Sequence, residues 1–262
     1  MDFFLRNKRA IVCGSTQGIG RAIAEKFAEY GASLILIARD ESKLKETIQI
    51  LQKDESQTHE YIVADFSDPT NLKIQLDEYM KKGYPVHILV NNTGGPPGGQ
   101  LIDADISNFE SALKMHLYCN HILTQTVVEG MKSEQYGRII NIISTSVKQP
   151  IPGLGVSNTT RGAVANWSKT LAGELAPFGI TVNNILPGFI QTQRLLSLIK
   201  SRAEKQSINE DIVAKNMKSS IPMLEFGLTD DIALGALYLA SNAAKYVTGI
   251  NLPIDGGRIS GY

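Results

Sequence analysis

The stretch CGSTQGIGRA, residues 13–22, joins a short apolar run to an amphipathic segment. The preceding RAIVC is typical of a buried strand, and the following RAIAEKFAEYG has helical spacing that stops at Gly31. Gly14, Gly18 and Gly20 form the turn between them. Glycine lets a backbone approach a pyrophosphate, and a helix start offers free N–H groups and a positive dipole end. The stretch therefore predicts a strand–turn–helix unit that binds a dinucleotide, with a ligand-free packing turn as the alternative.

Strand and helix patterns alternate along the rest of the chain. Strands joined by helical crossovers form a parallel sheet, and near-continuous apolar runs are expected where both sheet faces are covered. We find no internal repeat or linker, and so predict one doubly wound, Rossmann-like α/β domain over residues 1–262, with helices on both faces of the sheet. The predicted strands are RAIVCGS, SLILIA, HEYIVADF, PVHILVNN, GRIINIIST, ITVNNILPG and GINLPID.

Composition narrows the function classes. The 262 residues are 43% hydrophobic and 20% charged, which fits a globular protein with a sizeable core. The formal net charge is zero, so nothing global attracts nucleic acid or an anionic membrane. The N-terminus lacks a signal-peptide pattern, and no apolar run is long enough to span a bilayer. Cys13 and Cys119 form no metal-like or disulfide pattern, so we expect no metal and a cytoplasmic location, with Cys13 as a small buried hydrophobic residue.

The glycine spacing Gly-x-x-x-Gly-x-Gly resembles the short-chain dehydrogenase/reductase family, most closely its β-ketoacyl-acyl-carrier-protein reductase branch. Further similar stretches follow in order: NNTG at residues 91–94, ADFSD at 64–68, GRIINIIS at 137–144, LPGFIQT at 186–192 and VTGINLPIDGG at 247–257. The resemblance implies that NNTG supports the adenine side of a cofactor pocket, that Asp65 contacts the adenine, and that LPGFIQT holds the nicotinamide amide. The cofactor-binding residues implied in this way are Gly14, Ser15, Thr16, Gln17, Gly18, Ile19, Gly20, Asp65, Phe66, Asn91, Thr93, Gly94, Arg161, Pro187, Gly188, Ile190 and Thr192.

The end of the second strand predicts which cofactor is bound. A site for NAD places an acid there to bind the ribose 2′-hydroxyl. In the segment LILIARDES that position aligns with Ala38, and Arg39 follows. A guanidinium suits a 2′-phosphate, so we predict NADP(H) rather than NAD(H). In the alternative, Arg39 is a solvated loop residue and Asp40 serves as the acid.

The resemblance also implies four catalytic groups, of which this chain keeps one. Ser144 matches the serine that hydrogen-bonds the carbonyl oxygen. Ser157 stands thirteen positions later, where the proton-donating tyrosine is expected, and Arg161 stands at the lysine position. His116 aligns with an asparagine that holds a relay water. No tyrosine lies between residues 136 and 238 to restore the pattern.

Each replacement has a chemical interpretation and a plainer one. An aliphatic hydroxyl is a far weaker acid than a phenol of pKa about 10, so Ser157 can pass on a proton but not generate one. Arg161 stays charged and can hold a ribose hydroxyl or an alkoxide. His116 is the best alternative donor because imidazole titrates near neutral pH, with Lys148 and Tyr118 weaker. In the plainer interpretations Ser157 begins a helix, Arg161 makes an ion pair, Lys148 is solvated and His116 is structural.

We therefore predict an NADP(H)-dependent oxidoreductase for a small carbonyl, alcohol or acyl substrate, of which a 3-oxoacyl compound is one example. The alternative is a nucleotide-binding sensor or assembly partner with little catalysis. Residues from about 192 to 220 are expected to form a substrate lid, whose basic side chains attract acidic substrates or form a solvated face. The loop TGGPPGGQ, residues 93–100, should line the mouth of the pocket. A homo-oligomer, tetramer or dimer, is a family expectation.

Overall fold

The computed structural model describes residues 3–260 and contains one parallel seven-stranded sheet in the order β3-β2-β1-β4-β5-β6-β7. The strand order reverses between β1 and β4, because β1 pairs with both β2 and β4. In parallel α/β sheets a ligand crevice opens at the carboxyl ends of strands beside such a reversal. The strands are β1 Arg9–Cys13, β2 Ser33–Ala38, β3 His59–Val63, β4 Ile88–Asn91, β5 Gly137–Ile142, β6 Ile180–Pro187 and β7 Asn251–Ile254.

Helices cover both faces of this sheet. In β1, Ala10 and Val12 pack into one apolar layer, and Ile11 and Cys13 pack into the other, as the two-residue period of a strand requires. The first layer includes residues of α1, α2 and α9, and the second includes residues of α3, α5 and α6. The predicted doubly wound fold is therefore confirmed. The helices are α1 Gly18–Glu29, α2 Glu41–Ile50, α3 Pro69–Met80, α4 Ile106–Leu113, α5 Cys119–Ser133, α6 Gly155–Leu175, α7 Gln193–Gln206, α8 Glu210–Ser219 and α9 Thr229–Ala240.

The segment FESALKMHLYCNHILTQTVVEGMKSEQ, residues 109–135, predicts one long helix. In the structure a π-helical turn, Lys114–Tyr118, interrupts it between α4 and α5. Such single turns of i→i+5 hydrogen bonding are frequent at functional sites. This turn holds His116, which is almost completely buried. Hydrophobic spacing alone predicted one continuous helix, because the inserted residue of a π turn shifts the apolar face without removing it.

The polar stretch from about 192 to 220, which is expected to form a lid, contains the two helices α7 and α8. α7 ends at Gln206, because Ser207 after it adopts a left-handed φ of 54°. α8 begins after Asn209, whose side chain accepts a hydrogen bond from Asp211 N. The two helices share a small apolar cluster separate from the main core. Its buried members are Leu195, Ile199, Ala203, Val213, Met217, Ile221 and Phe226. Among residues 3–260, no helix combines the length and apolar composition needed to cross a bilayer.

A row of asparagine side chains, three buried and one half-buried, runs across four strands. The Asn91 amide donates to Asn141 Oδ1 at 2.8 Å, and the Asn141 amide donates to Asn184 Oδ1 at 2.9 Å. The Asn184 amide donates to Asn251 Oδ1 at 2.8 Å. These residues are also direct register partners in the sheet. Because a buried amide without a partner is costly, the row fixes the register of β4 to β7, whose carboxyl ends support the site.

Candidate functional site

A cavity of about 630 Å³ lies at the carboxyl ends of the strands, beside the reversal of strand order. Its wall includes Ala38 at the end of β2, Ile142 at the end of β5 and Pro187 at the end of β6. The fold thus gathers segments that are far apart in sequence. Seventeen of the residues predicted for the site line this cavity: Gly14, Thr16, Gln17, Gly18, Ile19, Arg39, Asp65, Phe66, Thr93, Gly94, Ser144, Ser157, Arg161, Pro187, Gly188, Ile190 and Thr192.

Four predicted residues lie behind this wall: Ser15, Gly20, Asn91 and His116. Asn91 was expected at the cofactor, but its side chain lies in the asparagine row within the sheet. Its neighbour Asn92 lines the cavity instead, and its amide donates to the carbonyl oxygens of Cys13 and Gly14. The two asparagines of NNTG indicate that one of them lies at the cavity, because successive residues of a strand face opposite sides of the sheet. The sequence does not show which of the two faces the cavity.

The glycine turn is packed too tightly for side chains. Gly14 and Gly18 have φ of 58° and 55°, in the left-handed region that favours glycine. A Cβ on Gly20 would lie 2.1 Å from Gly14 O, and a Cβ on Gly14 would lie 2.6 Å from Asn92 O. The absence of side chains therefore lets the turn and the start of α1 approach each other and the cavity.

The start of α1 has the features of a phosphate site. In the described chain its N-cap, Gln17, makes no capping hydrogen bond through its side chain, and the first turn carries no acidic residue. The buried hydroxyl of Ser15 also has no hydrogen-bond partner among residues 3–260. The free N–H groups and the positive helix end suit a pyrophosphate. The residues present therefore fit a dinucleotide.

The cavity end below β2 and β3 carries the charges expected for the adenosine half. Arg39 lines the cavity, whereas Asp40 caps α2, where its carboxylate accepts from Lys43 N at 3.1 Å. Asp65 accepts a hydrogen bond from Ser67 N at 2.8 Å. Hydrogen bonds from Ser67, with a smaller contribution from the charge of Arg39, hold the pKa of Asp65 below its ordinary value. Asp65 is therefore ionised at neutral pH.

Two serines face the opposite end of the cavity. Ser144 follows β5, and its Oγ accepts a hydrogen bond from Ser146 N at 3.1 Å. This bond uses only an oxygen lone pair, so the hydroxyl hydrogen remains available for donation to another group. Ser157 lies in the first turn of α6, lines the cavity and is 8% exposed. Both hydroxyls can therefore reach a molecule in the cavity.

Arg161 places a buried positive charge beside these hydroxyls. It is 8% exposed and donates to Ile142 O at 3.1 Å and to Thr93 O at 3.3 Å. It makes no ion pair with any carboxylate of residues 3–260, so the ion-pair interpretation of Arg161 is wrong. Burial, and then the charge of Arg194, lower its pKa to about 10, so it remains a cation at neutral pH.

His116 lies behind Thr93 rather than in the cavity. It is 1% exposed, its Nδ1 is hydrogen-bonded to Thr93 Oγ1 at 2.5 Å, and its Nε2 has no partner in the described part of the chain. Burial, followed by the charges of Arg161 and Arg194, lowers the pKa of His116 to about 2. The expectation that it titrates near neutral pH is therefore wrong, and the neutral ring cannot donate a proton as an imidazolium.

The two weaker donor candidates lie outside the cavity. Lys148 is exposed after the short helix Thr145–Val147, and Tyr118, 48% exposed, belongs to the π turn. Neither side chain lines the cavity. Neither can therefore reach a reacting atom in this structure.

The lid segment covers part of the cavity through the first turns of α7. Arg194 lines it and donates through Nη1 to Gly95 O at 3.2 Å, within the glycine-rich loop after β4. Sequence reasoning missed Arg258, whose guanidinium lies 4.3 Å from the ring centre of Phe189 and also lines the cavity. It lies in no recognisable motif. The further lining residues that were not predicted include the polar Thr145 and Gln193 and six large apolar residues: Met115, Ile151, Leu154, Phe189, Leu195 and Leu198.

Comparisons with known proteins agree with this geometry. The family model described as "Enoyl-(Acyl carrier protein) reductase" matches residues 14–258. The chain is 28% identical to a 3-oxoacyl-[acyl-carrier-protein] reductase of Aquifex aeolicus, covering 98% of this chain and 99% of the relative. It is 31% identical to the NADPH-dependent reductase BacG of Bacillus subtilis, covering 97% and 99%.

A solved structure is similar over the whole length. The L-sorbose reductase of Gluconobacter frateurii, crystallised with NADPH and L-sorbose, superposes with a TM-score of 0.93 at 27% identity and covers all of both chains. The parallel sheet with helices on both faces, and the glycine turn between β1 and α1, are those expected from the sequence. The chain belongs to the short-chain dehydrogenase/reductase family of oxidoreductases.

Proposed function

We propose that this protein is an NADP(H)-dependent oxidoreductase that interconverts a carbonyl group and an alcohol. The observation that carries the proposal is the meeting, in one cavity, of the glycine turn with Ser144 and Arg161. The glycine turn would hold the pyrophosphate, while Ser144 and Arg161 can bind a carbonyl oxygen that becomes negatively charged during the reaction. The preference for NADP(H) is supported by Arg39, which lines the cavity, while the competing acid Asp40 is engaged in capping α2.

Bound NADPH would supply the hydride for carbonyl reduction, and the chain would orient the carbonyl and stabilise charge. Ser144 donates a hydrogen bond to the carbonyl oxygen. Arg161 stabilises the negative charge that grows on this oxygen as the hydride adds to carbon. The carbonyl carbon gains a hydride and the oxygen gains a proton, so each turnover consumes one NADPH and one proton and releases one NADP⁺.

The proton reaches the oxygen from water through Ser157. Among the described residues, the cavity lining holds no tyrosine, lysine, cysteine or histidine. Asp65 is the only ionised acid among the described residues of the lining, and it lies at the adenosine end. A serine hydroxyl can receive a proton on one side while it releases one on the other. The strong field of Arg161 makes this relay easier, because it stabilises the oxyanion until the proton arrives.

The apolar part of the lining indicates where the rest of the substrate lies. Leu154, Leu195, Leu198 and Phe189 surround the reaction end of the cavity. They would contact a carbon skeleton, so a 3-oxoacyl compound is one substrate that the cavity suits, in keeping with the 3-oxoacyl reductase relative.

A second candidate function is nucleotide binding without turnover, and the lack of a phenol and an ammonium group in the described lining favours it. Fluorescence titration with NADPH, followed by turnover of a panel of aldehydes and ketones, separates the two. Oxidoreductase activity should fall at least about 100-fold in Arg161→Met and Ser144→Ala, since removal of one oxyanion donor typically costs that much. Lys148→Met, an exposed cation outside the cavity, is the control and should keep full activity.

The outcomes of this experiment are distinct. Turnover that survives both site substitutions contradicts the site assignment. NADPH binding without turnover of any panel member supports the second function. Failure to bind either nicotinamide nucleotide contradicts both functions.

A further inference from the structure

Positive charge exceeds negative charge at the reaction end of the cavity. Three guanidinium groups line it, those of Arg161, Arg194 and Arg258, and none makes an ion pair with a carboxylate of residues 3–260. Asp255 lies near Arg258 and offsets part of its charge, although its own oxygens accept backbone hydrogen bonds. The stronger imbalance is therefore at Arg161 and Arg194.

The surroundings of Arg161 make this imbalance costly. Arg161 is more than nine-tenths buried, and its hydrogen bonds go to two backbone carbonyls rather than to an anion. A buried charge normally has a counter-ion, because dipoles alone replace only part of its hydration. A second cation, Arg194, is close enough to disfavour the charge of Arg161 further. This arrangement suits a site that is completed by a negatively charged ligand.

Arg194 lies where a helix attracts anions. It is the second residue of α7, whose N-cap is Thr192, and the first turn carries no acidic residue in the described chain. The positive end of a helix dipole disfavours a cation and favours an anion. The guanidinium of Arg194 rests on the glycine-rich loop, where a Cβ on Gly95 would come within 2.6 Å of Nη2. Its position over the cavity therefore depends on that glycine.

The phosphates of the cofactor do not account for this charge. Under the proposed function, the pyrophosphate lies at the start of α1 and the 2′-phosphate lies at Arg39. Arg161 is held at the ends of β4 and β5, through Thr93 O and Ile142 O. The remaining anion must then belong to the substrate.

Resting on the proposed function, we propose that the substrate is an oxo acid, whose carboxylate is bound by Arg194 while its carbonyl oxygen is bound by Ser144 and Arg161. A guanidinium binds a carboxylate through two parallel N–H···O bonds, which also sets its orientation. The apolar residues Ile151, Leu154 and Leu198 contact the carbon skeleton between the two groups. Arg194 is thus a residue that determines specificity.

The test measures binding to the NADP⁺-loaded full chain, so that it does not depend on turnover. The probes are pyruvate, acetoacetate and levulinate, each compared with its neutral methyl ester by calorimetry. At least one acid should bind at least about tenfold more tightly than its ester, which corresponds to about 1.4 kcal/mol. Arg194→Gln should abolish the preference for the acid over its ester, because only the acid has a carboxylate that forms a charge-assisted pair with Arg194. The affinity for NADP⁺ should stay within about twofold of the wild type.

Arg202→Gln is the matched control, because Arg202 lies on the same helix and does not line the cavity. It should retain the preference for the acid. Three results would each overturn the proposal. The esters bind as tightly as the acids, Arg194→Gln weakens the binding of acid and ester equally, or no acid binds. Turnover of neutral ketones alone would leave the proposed function standing while this inference fails, and loss of NADP⁺ binding would remove both.

Discussion

Replacing Arg39 by alanine should weaken NADPH binding and leave NADH binding nearly unchanged. Arg39 lines the cavity just beyond β2, where a 2′-phosphate would carry up to two negative charges. A hydrogen bond between charged groups contributes about 1.5–3 kcal/mol. Arg39 is exposed and lies near the ionised Asp65, and both conditions reduce its contribution. The loss should therefore be near the lower limit, about 1.5–2 kcal/mol, or roughly ten- to thirtyfold in the dissociation constant of NADPH.

Fluorescence titration of the wild type and Arg39→Ala with each cofactor measures this ratio. Raising the salt concentration should reduce the wild type's advantage for NADPH, because the pair is exposed to solvent. Arg21→Ala is the control, since Arg21 lies on the outer surface of α1 in an ion pair with Glu25. Equal loss of affinity for both cofactors would refute the role of Arg39 in phosphate binding.

Asp40 provides an independent check of the same reasoning. Because its carboxylate caps α2, Asp40→Ala should lower the free energy of unfolding by about 1 kcal/mol without changing the affinity for NADH. A marked loss of NADH affinity in this variant would mean that Asp40 holds the ribose hydroxyl.

Three further predictions follow from the described contacts. Gly20→Ala should lower the free energy of unfolding by about 1–3 kcal/mol and abolish NADPH binding, because the Cβ of the alanine would collide with Gly14 O. Chemical denaturation measures the first effect, and fluorescence titration with NADPH measures the second. Asn141→Leu should cost about 2–5 kcal/mol in the same denaturation experiment, since two neighbouring buried amides lose a partner. His116→Asn should reduce the loss of stability at acid pH, because folding lowers the pKa of His116 to about 2. Below about pH 6.5 the unfolded chain therefore binds a proton that the folded chain does not bind, and this difference favours unfolding. If the slope of the unfolding free energy against pH between pH 4 and 6 is unchanged in His116→Asn, the ring of His116 is already protonated in the folded protein at those pH values.

The sequence predicted the seven strands and the glycine turn between the first strand and the first helix, because both depend on local patterns. Apolar runs buried on two sides and a glycine turn between strand and helix leave little choice of structure. Cys13 was also predicted correctly as a buried hydrophobic residue, and its burial raises the pKa of its thiol.

Features that depend on distant segments could not be predicted in this way. Whether Asn91 or Asn92 faces the cavity is decided by Asn141 on the neighbouring strand, which pairs with Asn91 inside the sheet. The depressed pKa of His116 comes first from burial and then from the guanidinium groups of Arg161 and Arg194, which follow it in sequence by 45 and 78 positions. Neither effect leaves a periodic signal near the residue concerned.

The separate apolar cluster of α7 and α8 has a consequence for how this protein could be redesigned. The two helices pack on each other and on Ile221 and Phe226, while the asparagine row holds the strands beneath the cavity independently. Residues 193–219 can therefore be exchanged as a cassette for the corresponding segment of a relative. Such a chimera would have different residues in the part of the cavity wall formed by α7, and therefore a different substrate range. Its nucleotide-binding residues at the strand ends would be unchanged.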